Sequence, residues 1–168
     1  MEKMIVCAFF VVVFSQNTFR DGYFEVYTEG FHTYAGSWYN GGNISSSFFI
    51  KNYLAQPALS LTGLATNICQ NITITIQGNF DILFQRLLDP VISLTTNLTI
   101  TENNLVIYDQ LETSVGPKVA FITRSLVPQD YQYCFQNPAA TTSILITSVA
   151  LNLTLYHETS TFTITTDT

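Results

Sequence analysis

Charge is what this chain has least of. It holds 168 residues with six Lys and Arg, twelve Asp and Glu and two His, so that 11% of positions are charged, against roughly a quarter in ordinary soluble domains. The basic residues are scattered and the net charge is −6. No cationic stripe can neutralise a row of phosphates, which excludes nucleic acid as a partner. The two histidines, His32 and His157, each have an acid nearby, Glu29 and Glu158. A small metal or acid–base site could be built from such a pair, but a strand-surface His beside a Glu is usually incidental. The sequence also lacks a nucleophile elbow, a phosphate-cradling glycine loop and a dinucleotide fingerprint. Asp109 and Asp130 are isolated carboxylates. The expectation is a protein without catalytic activity and without a cofactor beyond covalent N-glycans. Beyond residue 15 there is no apolar run long enough to span a bilayer and no lipidation box, so no stable membrane anchor is expected.

Cysteine is also sparse, with three in all. Cys7 lies in the opening segment, which leaves Cys69 and Cys134 as an even pair. In an exported protein such a pair most simply forms one bridge. The opening stretch, MEKMIVCAFFVVVFSQ, has the parts of a secretory signal: Lys3, an apolar run from Met4 to Phe14, and small residues Val13 and Ser15 before a cut. The same residues suit a strand buried on both faces. Residues 1–15 are therefore a signal peptide or a retained apolar strand, and either reading makes the chain secreted and extracellular.

Four N-glycosylation sequons begin at Asn43, Asn71, Asn97 and Asn152. With 12 Asn and 35 Ser plus Thr, chance alone supplies about two or three, so placement says more than number. NITITI, NLTIT and NLTLY alternate polar and apolar residues, which in a strand sends the asparagines to one face and the aliphatics to the other.

That alternation recurs between turn signals along the whole chain. Asn40-Gly41-Gly42 reads as a hairpin turn, with further breaks at Asn103-Asn104, Gly116-Pro117 and Asn137-Pro138. In SILITSVALNLTLY the apolar parity changes near Thr147-Ser148, the signature of a bulge. One segment departs from the pattern. In NFDILFQRLLDP, Phe80, Leu83, Phe84, Leu87 and Leu88 fall at helical spacing, with Asn79 as a cap and Asp89-Pro90 as a stop. The expected fold is all-β: an antiparallel β-sandwich of immunoglobulin-like or jelly-roll character over residues 31–168. It carries one short helix and is preceded by an N-terminal extension over residues 16–30.

Two non-catalytic functions follow from different segments. Between residues 23 and 39 aromatics are dense. Most must pack a core, leaving Tyr23, Tyr34 and Trp38 as candidate platforms for a carbohydrate. The other function is self-assembly. From Ser125 to His157 the only charged residue is Asp130, and sheet edges are ordinarily protected by charge. Such an edge must be covered inside the sandwich, by glycan, or by a strand added from another copy. Val6, Phe9, Val11 and Val13, or after cleavage Phe24 and Val26, are the candidate assembly residues. A contact of that kind runs head to tail and builds a filament.

In architecture the chain resembles the donor-strand pilins and other extracellular filament subunits: a leader-like start, an N-terminal extension, one cysteine pair and a body of short strands. It departs from them in its widely spaced cysteines and in lacking a penultimate aromatic. The resemblance implies a secreted, glycosylated structural subunit assembled by β-strand donation. The alternative is a monomeric carbohydrate-binding or adhesive β-sandwich module.

Overall fold

The computed structural model describes residues 18–25, 29–32, 37–41, 48–61, 67–88, 95–113, 116–138 and 142–154. Eleven strands run through them: β1 (Gly30–His32), β2 (Tyr39–Asn40), β3 (Phe48–Tyr53), β4 (Gln56–Leu61), β5 (Asn67–Ile74), β6 (Gly78–Leu88), β7 (Thr96–Glu102), β8 (Leu105–Glu112), β9 (Lys118–Leu126), β10 (Gln129–Gln136) and β11 (Ile144–Thr154). They form a six-stranded sheet in the order β1-β3-β4-β11-β6-β9 and a five-stranded sheet in the order β2-β5-β10-β7-β8. Every pairing is antiparallel. The fold is an antiparallel β-sandwich. Its core lies between the sheets, where Ile68, Ile72, Tyr133, Phe135, Leu98 and Ile100 of one meet Ile50, Leu59, Ile82, Phe84, Val149 and Leu151 of the other.

The segment with helical spacing is a strand. β6 runs for 11 residues between β11 and β9, and no helix occurs among the described residues. Phe80, Ile82 and Phe84 alternate into the core. Leu87, on the opposite face, is buried with Ala58 and Leu145. Apolar residues therefore appear on both faces, which imitates a helical stripe, and pairing on both sides overrides the local signal.

Other turn signals resolve differently. Asn103 and Asn104 both have positive φ, 48° and 66°, and close the β7–β8 hairpin. The ladder between β11 and β6 shifts register between Ile146 and Ser148, where the parity change lies. At the shift, the Thr147 hydroxyl donates to Gln85 Oε1 at 2.6 Å. Asn40-Gly41 does not make a hairpin. β2 pairs with β5 in one sheet and β3 with β1 and β4 in the other, so the chain changes sheets there.

The charge-poor stretch after Ser125 forms β10 and β11, and both are interior strands, flanked by β5 and β7 and by β4 and β6. β10 pairs along its length with β5 and over Tyr133–Gln136 with β7, and β11 pairs with β6 and over Ile144–Ile146 with β4, so interior position accounts for much of the missing charge. Among the described residues the sheets end at β1 and β9 and at β2 and β8; of these, β8 presents the exposed Asp109 and β9 the exposed Lys118.

Residues 18–25 belong to the sandwich rather than to a free extension. Thr18 N donates to Leu151 O and Val149 N to Gly22 O, while Gln70 exchanges two hydrogen bonds with the backbone of Arg20, at 2.8 and 2.9 Å. This turn therefore ties β11 of one sheet to β5 of the other. Phe24, expected on a donated strand, has positive φ and is fully buried in its own chain's core, 5.5 Å from the Trp38 ring. Val6, Phe9, Val11, Val13 and Val26 lie outside the described residues.

Candidate functional site

Cys69 and Cys134 are joined by a disulfide. They are directly opposed in the β5–β10 register, so the bridge staples neighbouring strands of one sheet. Ile68 and Phe135, beside them in sequence, point into the core. Alternation then puts the two sulfurs on the outer face of the five-stranded sheet. Tyr39 packs over them. Gly41 is pressed against the bridge from the same side: a Cβ there would collide with Cys69 Sγ.

Two residues further along the same register, Asn71 stands opposite Gln132, and beyond them Thr73 stands opposite Asp130. All four share the outer face with the disulfide. The Tyr39 hydroxyl donates to Asn71 Oδ1 at 2.8 Å and accepts from Gln132 Nε2 at 2.6 Å. The Thr73 hydroxyl donates to Asp130 Oδ1 at 2.6 Å. Asn103, in the β7–β8 turn, exchanges two bonds with the Gln132 backbone: its Oδ1 accepts from Gln132 N at 2.8 Å and its own N donates to Gln132 O at 2.9 Å. These side chains border an open depression of about 440 Å³, lined by Asn71, Ile72, Thr73, Asn103, Asp130, Tyr131 and Gln132.

The chemistry of the depression is that of neutral polar recognition. It presents three amides, a hydroxyl and one carboxylate, a mixture of donors and acceptors, on a floor fixed by strand pairing. It has neither a nucleophile–base pair nor two facing carboxylates. Among the described residues, no group of three His, Cys, Asp or Glu is arranged to hold a metal.

Among the described residues, two ion pairs cross between the sheets, away from this depression. Arg124 of β9 grips Glu102 of β7 with both arms, at 2.8 and 3.2 Å, and the Tyr133 hydroxyl donates to the same carboxylate at 2.7 Å. Burial, followed by the bond to Glu102, pushes the Tyr133 phenol well above its ordinary value. The bond to Glu102 is also the main reason the Arg124 guanidinium is held above its usual range. Arg86 of β6 meets Glu112 of β8 at 2.7 Å, with Tyr108 alongside at 3.2 Å. Burial raises the Tyr108 phenol. These groups are engaged with one another and read as inter-sheet clamps.

The residues singled out from sequence are dispersed. Trp38 is fully buried, its indole N–H donating to the carbonyls of Arg20 and Asp21 at 3.1 and 3.2 Å. It is a core residue and offers no face to a ligand. Tyr23 is 61% exposed, whereas Tyr34 lies outside the described residues. Asn71 and Asn97 are exposed on β5 and β7, Asn152 is half-buried on β11, and Asn43 lies outside the described residues. His32 is half-buried in β1, and His157 lies outside. The groove was not singled out, although Gln-Asp-Tyr-Gln-Tyr over residues 129–133 alternates polar with aromatic. That pattern alone puts Asp130 and Gln132 on one face; which strands flank them is a tertiary fact.

No family model and no curated protein matches the sequence. Solved structures do match in fold. The chain is similar to a carbohydrate-binding module described as CBM4, with 14% identity over 81% of this chain and 99% of that one, at a TM-score of 0.52. It is also similar to the CBM22-1 xylan-binding domain of Xyn10C from Paenibacillus barcinonensis, with 11% identity over 70% and 85% of the two chains, at a TM-score of 0.53. At these identities the likeness is one of fold: this chain shares the β-sandwich architecture of carbohydrate-binding modules.

Proposed function

We propose that the protein is a secreted, non-catalytic carbohydrate-binding module that holds a neutral sugar chain on the outer face of its five-stranded sheet. The observation that carries the reading is the depression at Asn71, Thr73, Asp130, Gln132 and Asn103. Sugar hydroxyls both donate and accept, and a floor of amides, hydroxyl and carboxylate meets both needs. A single carboxylate and a net charge of −6 disfavour acidic glycans, whose like charge would be repelled. The fold likeness to a xylan-binding domain and to a CBM4 module supports the same reading. The disulfide accords with export to an oxidising compartment.

The test is isothermal titration and affinity electrophoresis against soluble neutral polysaccharides, xylan first, using the unglycosylated full chain, produced in a bacterial periplasm, and an Asp130→Ala, Gln132→Ala variant. Binding by the intact chain, weakened about tenfold or more in the variant with unchanged melting, is the expected result, since each lost hydrogen bond is worth about 1 kcal/mol or more. Absence of binding to every neutral glycan tried, or binding indifferent to the two substitutions, would reject the site.

A second reading, self-association through strand addition, is favoured by a separate observation. β8 and β9 end their respective sheets and leave Leu105, Val106, Leu111, Val119 and Phe121 exposed, the last at 72%. Unpaired edges with apolar side chains are where another strand can add. Sedimentation velocity across a concentration series distinguishes this from a solitary module, because Phe121→Lys should lower any association without altering polysaccharide binding.

A further inference from the structure

We infer that Asn71 is an N-glycan attachment site and that the attached sugar lies over the depression beside it, so that glycosylation controls access to this face. The consequence for ligand access rests on the proposed binding site; the modification itself does not.

Three observations converge on Asn71. It opens the sequon Asn71-Ile72-Thr73 and is exposed on β5. Its Oδ1 is already held by the Tyr39 hydroxyl at 2.8 Å, whereas its Nδ2 has no protein partner among the described residues. Glycosylation consumes only the nitrogen: Nδ2 attacks the anomeric carbon of a polyisoprenyl-diphosphate-linked oligosaccharide. The carbon–oxygen bond to the diphosphate breaks, a carbon–nitrogen bond forms, one amide proton leaves to base, and the lipid diphosphate departs. The amide carbonyl survives, so the bond from Tyr39 survives with it. Modification and the native fold are therefore compatible at this position.

Position follows from the same contact. Tyr39 covers the disulfide on one side of Asn71, and Thr73 and Asp130 stand on the other. With Oδ1 held by Tyr39, Nδ2 is the atom left to carry a sugar, and the depression that Asn71 itself lines begins beside it. The first sugar would rest among the groups expected to greet a free ligand. The other described sequons lack this setting. Asn97 is exposed opposite Leu111, and Asn152 is half-buried on an interior strand opposite Asp81.

The full chain, secreted from insect cells behind a heterologous leader, tests both parts. Release with peptide-N-glycosidase in heavy-oxygen water, followed by peptide mass spectrometry, should convert Asn71 to a labelled Asp, and Asn71→Gln should remove that glycan. Carbodiimide labelling of carboxylates then reads coverage: Asp130 should react several-fold more slowly in the glycosylated chain than in Asn71→Gln, with Asp109 as the unaffected reference. An unmodified Asn71 in the secreted chain overturns the assignment. A glycan at Asn71 with equal Asp130 labelling in both proteins overturns the covering of the groove. Neither readout uses a polysaccharide, so failure of the unglycosylated chain to bind one would count against the binding function alone.

Discussion

Glu102 of β7 receives both arms of Arg124 from β9 and the hydroxyl of Tyr133 from β10, so one buried carboxylate is satisfied by two sheets at once. Removing it as Glu102→Ala strands a guanidinium and a phenol. The expected loss is about 2 kcal/mol of unfolding free energy, below the range for a fully buried pair because the Arg124 side chain is 32% exposed, read by urea denaturation.

The same cluster sets an alkaline limit. Burial, then the bond to Glu102, raises the Tyr133 phenol in the folded state above its ordinary value of 10.0. The folded chain therefore keeps this proton where the unfolded chain releases it. Stability from this group is complete below about pH 10 and is lost as pH rises beyond it. Tyr133→Phe should flatten that alkaline decline, measured as melting temperature against pH, while lowering stability at neutral pH by about 1 kcal/mol for the lost bond.

The Cys69–Cys134 bridge spans 65 residues of sequence, and a loop of that size is worth about 4 kcal/mol in the chain-entropy account. A Cys69→Ala, Cys134→Ala protein should unfold at markedly lower denaturant concentration, with the same β-rich circular dichroism before the transition.

Gly41→Ala should cost about 1–3 kcal/mol, the usual penalty of overpacking, because the added methyl meets Cys69 Sγ and Asn67. Much of that cost should disappear in the background lacking both cysteines. The non-additivity, taken from a double-mutant cycle in denaturant, is the diagnostic.

Phe24→Ala tests whether the turn at residues 18–25 is integral. Phe24 is fully buried against Trp38, and Phe19 stacks on the same indole at 5.8 Å. A loss of about 3–5 kcal/mol is expected, as for a core phenylalanine. A cost near zero would show that this segment is an appendage.

Some of this was readable from local pattern. The alternation in Asn-Ile-Thr-Ile placed Ile72 and Ile74 in the core and Asn71 and Thr73 outside, because side-chain direction in a strand has period two and needs no knowledge of neighbours. Asn103-Asn104 marked its hairpin because asparagine tolerates positive φ. The β3–β4 hairpin was silent, since its turn places Leu54 and Ala55 at φ 49° and 64°. Neither residue type advertises that conformation, and the paired strands impose it.

Local order is therefore written in the chain: strand after strand, which face of each is apolar, where the bulge falls, and which two cysteines remained to pair. Tertiary structure alone decided which strands became neighbours. That pairing made β10 and β11 interior, turned β6 from a helical pattern into a strand, put Trp38 and Phe24 in the core, and set Asn71, Thr73, Asp130 and Gln132 around one depression. The reason is physical. Side-chain alternation is fixed within a few residues of backbone, whereas hydrogen bonding across a sheet joins residues some 60 positions apart, and no short-range preference encodes that choice.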